Sequence, residues 1–252
     1  MRGTWVPNQH GAWAMVVVPY LLGLLLAAEH GAVGWAHGTL FVFWFTGYCT
    51  FHAASGWLKA APRRRPRFVP PLATWACVST AAGLATLALT GWRPLLWVPA
   101  FVPLVVPALW LASRRRERAT VGGLLTVTAA ALMLPVARYL LAGPAGDLPH
   151  VVASTALVFG YFFGTVLFVK TNIRERGVRG YLVASVTWHA LLLAGAVVCS
   201  GLGLVGWWWV AVLAVVLVRT VVVPPLRLRP MALGLIEVGV CLALVAGQAA
   251  LG

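Results

Sequence analysis

Three ionisable side chains lie inside long apolar segments, where a charged group is costly and therefore marks a candidate functional site. They are His52, His189 and Glu237. Each lies seven or eight residues from the polar end of its segment, which is roughly 10 to 12 Å at about 1.5 Å per residue. Because the three depths agree, the sequence predicts a polar region in one half of the membrane, where imidazole and carboxylate groups could transfer protons.

Polar residues at the ends of three segments extend this region. The spacing i, i+3, i+4, i+7 places four residues on one helix face, namely His52, Ser55, Gly56 and Lys59. Lys170, which ends another segment, is followed by a turn rich in donors, and cationic and amide donors suit a phosphate or carboxylate. The N-terminal run precedes the first segment on the same side. The candidate catalytic residues are His10, His52, His189 and Glu237, and the candidate substrate-binding residues are Asn8, Gln9, Ser55, Lys59, Lys170, Asn172 and Arg174.

The distribution of basic residues predicts the topology. Seventeen of the nineteen Lys and Arg residues lie at the N-terminus or in every second gap between apolar segments. Basic residues near segment ends are retained in the cytoplasm, so the N-terminus is expected inside and the C-terminus outside. The same rule explains Lys59, Lys170 and their neighbouring arginines without any ligand. Arg219 is counted in the last inner cluster, and Arg138 is expected to extend outward from the end of its segment.

The composition predicts an all-α, polytopic membrane helix bundle. At 61% hydrophobic and 10% charged, the chain has too little polar surface for a soluble protein of its length. It is expected to form one integral membrane domain over residues 1–252. The net charge of +14 is dispersed in short loops, which argues against a nucleic-acid partner. About nine spans are predicted, near residues 12–28, 39–58, 72–90, 95–112, 120–141, 151–169, 181–200, 203–218 and 231–251.

Other features predict packing more than chemistry. Gly160 and Gly164 form a small-residue face typical of helix packing. The four cysteines are far apart and lie in apolar segments, so no metal site or disulfide framework is predicted. His30, His37 and His150 are placed in outer loops, where they give a weak metal signal. Abundant Ala, Val, Gly and Arg with two Lys is typical of a GC-rich prokaryotic genome, which predicts a plasma-membrane location.

Two segments of the chain carry a family resemblance. Residues 5–15, which include the string Asn8, Gln9, His10, Gly11, Ala12, Trp13, and residues 170–177 resemble the YwiC-like family of bacterial integral membrane proteins. The resemblance extends over the full length. That family has no assigned function, so the resemblance implies a membrane protein but no activity.

The layout of the chain is also similar to that of the UbiA superfamily of intramembrane prenyltransferases. In that superfamily the ends of spans two and six carry Asp-rich motifs that hold magnesium on a prenyl diphosphate. Here residues 50–59 contain no carboxylate and residues 170–180 contain only Glu175, so magnesium is not expected and the cofactor stays unknown. The resemblance implies instead that Lys59, Lys170, Asn172 and Arg174 hold an anionic headgroup, with His10 or His52 transferring a proton.

Three classes of function remain open. The first is a UbiA-like enzyme or lipid-binding protein with a cytoplasm-facing pocket for an isoprenoid or other lipid with an anionic headgroup. The second is a transporter for an anion or small solute that uses His52, His189 and Glu237, and the third is a haem-bearing electron-transfer subunit. An accessory or assembly protein with no small ligand is the remaining alternative. Transport needs polar groups in the outer half, where the sequence supplies little beyond Thr126, Thr128, Thr155 and Thr165. No oligomeric state is predicted.

Overall fold

The chain folds into two compact helical units, Met1–Pro144 and Ala145–Gly252. In the computed structural model, residues 2–7, 10–116 and 119–252 are described, with Arg2 and His10 described by their backbone only. Each unit has its own helices and its own buried contacts, and each is described here by itself.

The described residues of unit 1 form seven α-helices and two short 3-10 helices. The α-helices are α1 (Arg2–Trp5), α2 (His10–Glu29), α3 (Trp35–Lys59), α4 (Val69–Thr90), α5 (Val98–Ser113), α6 (Thr120–Ala131) and α7 (Met133–Arg138). The 3-10 helices, Pro62–Phe68 and Arg93–Trp97, lead into α4 and α5. Each begins at or next to a proline, whose fixed φ and missing N–H suit the first turn of a helix.

Unit 2 contains four long helices. They are α8 (Leu148–Val169), α9 (Arg179–Gly201), α10 (Trp208–Leu226) and α11 (Pro230–Leu251). A π-helical turn, Lys170–Arg174, continues α8. Pro149 and Pro230 lie in the first turns of α8 and α11, where their missing N–H groups cost nothing.

The predicted class, an all-α multi-pass membrane bundle, is confirmed. The structure is 84% helical with no strand among the described residues, and eight of the described helical segments are long and apolar enough to cross a membrane. α3 is not among the eight, although its 25 residues would extend about 38 Å. Its histidines, threonines and terminal lysine lower its apolar character. Together with α3, nine helical segments of the described residues overlap the nine predicted spans, and eight of them are candidates to cross a membrane.

Two predicted spans differ from the observed helices. The eighth was expected at residues 203–218, but α10 runs from Trp208 to Leu226, so Arg219 lies inside a helix rather than in a loop. The fifth was expected at 120–141 and is divided at Leu132 into α6 and α7. Pro135 explains the second difference, because it has no N–H to donate to the carbonyl of residue 131.

Close packing of α2 against α7 organises unit 1. A side chain at Gly23 would place its Cβ 2.9 Å from the Cβ of Ala137, with the Leu134 carbonyl closer still. Tyr20, Ala36, Leu40 and Met133 belong to the buried apolar cluster around this contact. The absence of a side chain at Gly23 therefore lets the two backbones approach each other.

His37 connects three parts of unit 1, contrary to its predicted place in an outer loop. It lies in the first turn of α3, where its Nδ1 accepts from the Gly34 N–H at 3.3 Å. Its Nε2 donates to the carbonyl of Ala137 at 3.0 Å, and the Tyr20 hydroxyl donates to the His37 carbonyl at 2.7 Å. Both ring nitrogens are thus used to fasten α3 to α7 and to its own N-terminus.

Arg138 also differs from its prediction. It was expected to extend toward the outer surface, but its side chain is 1% exposed. Its guanidinium carbon lies 5.2 Å from the centre of the Tyr139 ring. Arg138 is therefore part of the interior of unit 1.

We predict that Gly23→Ala destabilises the protein because α2 must move away from α7 to admit the new methyl group. Gly38→Ala is the matched control, since no atom lies within 4 Å of the position its Cβ would take. Thermal unfolding in mild detergent should show a lower midpoint for Gly23→Ala and an unchanged midpoint for Gly38→Ala. Equal midpoints for the two variants would contradict the close approach of the helices.

We predict that His37→Ala lowers the unfolding midpoint by about 4 to 8 °C. The variant leaves the buried Ala137 carbonyl and the Gly34 N–H without their partner, which costs roughly 2 kcal/mol in a protein of this size. His150→Ala removes an exposed imidazole and is the control. A midpoint for His37→Ala that matches this control would show that the connection does not stabilise unit 1.

Candidate functional site

The predicted N-terminal candidates are described only in part. Asn8 and Gln9 lie outside the described residues, and His10 begins α2 with only its backbone described. Their predicted role in binding or proton transfer stays a prediction.

His52 contacts the N-terminal helix α1 of unit 1. Its Nε2 lies 3.2 Å from the carbonyl oxygen of Gly3 in α1. At the last residue of the same helix, the Trp5 carbonyl accepts from the Trp75 indole N–H at 2.9 Å. The predicted catalytic imidazole therefore has a structural contact of its own.

The rest of the predicted His52 face is used mostly for packing. Gly56 lies directly against the ring of Phe68, and the Lys59 carbonyl accepts from Nη2 of Arg115 at 3.2 Å. The side chain of Lys59 is half-buried. Ser55 is the exception, since its hydroxyl is buried and has no hydrogen-bond partner.

The predicted anion-binding residues of unit 2 lie on the π-helical turn after α8. Lys170 is 8% exposed and Asn172 is 3% exposed, whereas Arg174 is exposed. The Asn172 amide donates to the Phe168 carbonyl at 2.8 Å, and Nζ of Lys170 lies 5.8 Å from the centre of the Tyr181 ring. Two of the three predicted binding residues are thus turned into the protein.

Backbone and side-chain hydrogen bonds hold this turn. The Glu175 N–H donates to the Lys170 carbonyl at 2.8 Å, the i to i+5 bond of a π-helix. The Thr171 hydroxyl lies 2.9 Å from the Leu167 carbonyl and 3.2 Å from the Tyr181 carbonyl of α9, and the Arg176 Nε–H donates to the Asn172 carbonyl at 2.8 Å. Such turns occur frequently at functional sites.

Glu237 lies at the centre of a buried polar cluster in unit 2. Its Oε1 accepts from Nη1 of Arg219. Its Oε2 accepts from the Tyr161 hydroxyl at 2.9 Å and from the Thr165 hydroxyl at 3.0 Å. The Tyr161 hydroxyl also lies 3.6 Å from Sγ of Cys241. Both carboxylate oxygens are therefore occupied by donors from α8 and α10.

Sequence reasoning missed three members of this cluster. Arg219 was assigned to a loop, and the signal that it lies in a helix was the apolar run after it, Val221 to Val223. Thr165 was assigned to the outer half, yet it lies level with Glu237, because it is only a few residues from the end of α8. Tyr161 gave no signal, since a tyrosine in an apolar segment is usually read as packing.

His189 lies on α9 against α8. Its Nδ1 donates to the Ser185 carbonyl at 2.7 Å, which leaves Nε2 as the acceptor of a neutral ring. A Cβ on Gly164 would lie 2.7 Å from that Nε2, so the glycine makes room for the imidazole. Nε2 has no hydrogen-bond partner, and the nearby Ser185 hydroxyl has none either. Gly160 packs against Leu192 in the same way, as the small-residue face predicts.

The arrangement is suited to hold an anion or a proton rather than a metal. Among the described residues, no group of three His, Cys, Asp or Glu side chains could hold a metal ion. The carboxylate of Glu237 is neutralised by Arg219, so it is not available as a hard ligand for magnesium. These residues do not fit the magnesium diphosphate chemistry of the UbiA superfamily.

Comparisons with known proteins agree with the family resemblance seen in the sequence. Residues 6–138 match the YwiC-like protein family. An uncharacterized protein of Haemophilus influenzae is 30% identical over 92% of both chains, and the uncharacterized protein YwiC of Bacillus subtilis is 29% identical over 74% of both chains. No solved structure matches this chain significantly. The chain is therefore a multi-pass membrane protein that belongs to the YwiC-like family.

Proposed function

We propose that this protein binds a lipid with an anionic headgroup, an isoprenoid or another membrane lipid, through a pocket that faces the cytoplasm. The observation that carries the proposal is the burial of Lys170 and Asn172 at the π-helical turn after α8. The positive-inside rule requires basic residues in a loop, but it does not require a lysine turned into the protein.

Physical reasons favour a ligand at this turn. Nζ of Lys170 lies against the Tyr181 ring, and a buried ammonium group is stabilised by an opposite charge. An anionic headgroup beside Lys170 would supply a full opposite charge. A lipid is the ligand whose tail can occupy the apolar helix surface while its headgroup stays at the depth of the turn.

Within this proposal, a UbiA-like enzyme remains the more specific form. Direct stabilisation of a leaving anionic group by lysine and arginine would replace the missing magnesium. His10 or His52 would then transfer the proton. A lipid-binding protein without a reaction uses the same headgroup contacts.

We predict that a lipid copurifies with the protein and that Lys170→Met removes it. Methionine keeps most of the apolar length of lysine and loses the charge, so the affinity for the lipid should fall about tenfold or more, the effect of one lost charge-assisted hydrogen bond, and the adduct should be lost during purification. Native mass spectrometry from mild detergent measures the adduct and its mass. The control is Arg64→Ala, which removes an exposed arginine. The adduct should be present on both wild type and Arg64→Ala.

The transporter is the second candidate, and the cluster around Glu237 favours it. A buried carboxylate with hydroxyl and guanidinium partners, in a unit that also buries the imidazole of His189, is the type of arrangement that carries protons in membrane transporters. Protein without an adduct in wild type, Lys170→Met and Arg64→Ala would contradict the lipid proposal. Anion or proton flux in proteoliposomes, lost in Glu237→Gln, would then support transport.

We propose further that the N-terminus lies in the cytoplasm, the C-terminus outside, and the protein in the plasma membrane. With α3 as a ninth span the termini lie on opposite sides, and without it they lie on the same side. We predict that a green fluorescent protein fused to the C-terminus stays dark and that alkaline phosphatase at the same place is active. The reverse result would show an even number of spans and would exclude α3 as one of them.

A further inference from the structure

We propose that Arg219 is an oxyanion-binding residue and that the edge of its guanidinium formed by Nε and Nη2 receives a phosphate group. The inference rests on the proposed function only in that both concern an anionic ligand. The proposed phosphate site uses different residues from those of the Lys170 turn. It lies deeper in the helices of unit 2.

The unfilled hydrogen-bonding capacity of Arg219 is the first observation. The residue is 6% exposed, and its Nη1 donates to Oε1 of Glu237. Its Nε and Nη2 are buried and have no hydrogen-bond partner. A buried donor without a partner is costly, and a buried charged donor is more costly than a neutral one.

The two unfilled nitrogens are adjacent on the planar guanidinium. Their N–H groups point in parallel from one edge, and such an edge takes two oxygens of one phosphate or carboxylate. A water molecule can accept only part of this pattern with good geometry. The free edge of Arg219 is therefore matched to a planar or tetrahedral oxyanion.

Glu237 cannot fill this edge. Its Oε1 is bound to Nη1 of Arg219, and its Oε2 accepts from both Tyr161 and Thr165. Rotation of the carboxylate toward Nε and Nη2 would break the bonds of both hydroxyls. Glu237 instead fixes the direction in which the free edge points.

The face of the guanidinium is fixed as well. Its central carbon lies 4.0 Å from the centre of the Phe168 ring, close enough for a cation–π contact. With one nitrogen bound to Glu237 and one face on Phe168, the guanidinium has a single orientation. Its free edge is preorganised, so a ligand would not have to order the side chain on binding.

His189 offers an acceptor on the face of α8 that Arg219 also contacts. It packs on Gly164, which lies one helical turn before Phe168 on the same face of α8, and the guanidinium of Arg219 lies on the Phe168 ring. Nε2 of its neutral form can accept a hydrogen bond and has no partner. A phosphate group can offer two oxygens to Arg219 and a protonated third oxygen to His189, whereas a carboxylate has only two oxygens. The site therefore favours phosphate.

The end of α10 offers a route to the buried edge. Arg219 lies seven residues before Leu226, the end of the helix, or about 10 Å. Pro224 and Pro225 have no N–H, so the carbonyls of Thr220 and Val221 lose their usual helical partners. The last part of α10 therefore has fewer backbone hydrogen bonds than the rest of the helix. Opening it to admit a ligand would break fewer bonds.

The test is phosphate binding by the full-length protein in mild detergent, with Arg219→Lys beside wild type. Lysine keeps the charge that pairs with Glu237 but has no two-nitrogen edge. The probes are inorganic phosphate and a short-chain prenyl monophosphate, titrated calorimetrically at constant ionic strength. We expect Arg219→Lys to weaken binding about tenfold or more, because at least one charge-assisted hydrogen bond is lost. Arg229→Lys, the same exchange at an exposed position, should bind as wild type does.

The two probes distinguish the source of the phosphate. Comparable affinities for the two probes would identify a site for free phosphate. Binding of the prenyl monophosphate alone would identify a site for a lipid headgroup. Either result supports the inference. Wild type that binds neither probe, or Arg219→Lys that binds as tightly as wild type, overturns it. Glu237→Gln keeps a side-chain oxygen that can accept from Nη1 of Arg219 and so keeps the guanidinium in place, and it removes a repelling charge, so it should bind at least as tightly as wild type. Weaker binding by folded Glu237→Gln also overturns it.

Lys170→Met separates this inference from the proposed function. Retained phosphate binding by Lys170→Met together with weakened binding by Arg219→Lys assigns the phosphate to Arg219 alone. The opposite pattern, with binding weakened only in Lys170→Met, overturns the role of Arg219 and leaves the lipid proposal intact. An unchanged unfolding midpoint for Arg219→Lys and for Lys170→Met without ligand shows that folding is not the cause.

Discussion

A polar group inside a helix bundle in lipid must find its partner within the protein, and this constraint explains the contacts of both units. In unit 2 the partner of Glu237 is Arg219, and two hydroxyls from α8 take the remaining carboxylate oxygen. Removal of either charge alone would leave the other buried without compensation, which costs several kcal/mol. The positions of α8, α10 and α11 in unit 2 are therefore coupled through four side chains. Apolar packing alone is not directional and would not fix the register of these helices so narrowly.

Unit 1 satisfies the same constraint with neutral groups. His37 uses both ring nitrogens and its carbonyl to connect α3 with α7 and α2. The close contact at Gly23 brings the backbones of α2 and α7 together at the same level. Gly23 and the fully bonded imidazole of His37 thus hold the helices of unit 1 together, as the charged pair of Arg219 and Glu237 does in unit 2. The difference matters for function, because a neutral bonded group has no remaining capacity for a ligand.

The sequence predicted the helices well because long apolar runs have few alternatives in lipid. It also identified Glu237 and His189 as buried ionisable residues, since topology does not require them. It failed at Arg219 because a basic residue after an apolar run was taken as the end of a span, while Val221 to Val223 continue the helix. Tyr161 and Thr165 could not be found, because neutral polar residues occur at any depth and their partners are distant in the chain. His37 was misplaced because its contact with Ala137 spans 100 residues.

The pairing of Arg219 with Glu237 is not explained by stability. Replacing a buried ion pair with apolar residues of similar volume is often neutral or stabilising, because the cost of removing two charges from water exceeds what their attraction returns. A pair held only for structure would also be expected to use all of its donors, since each unfilled one adds to the cost. Nε and Nη2 of Arg219 have no hydrogen-bond partner, whereas its Nη1 is bound to Glu237 and the face of its guanidinium lies on the Phe168 ring. An arginine fixed in this way is arranged for a group that arrives from outside the protein, and Glu237 then serves to orient and balance the charge while that group is absent.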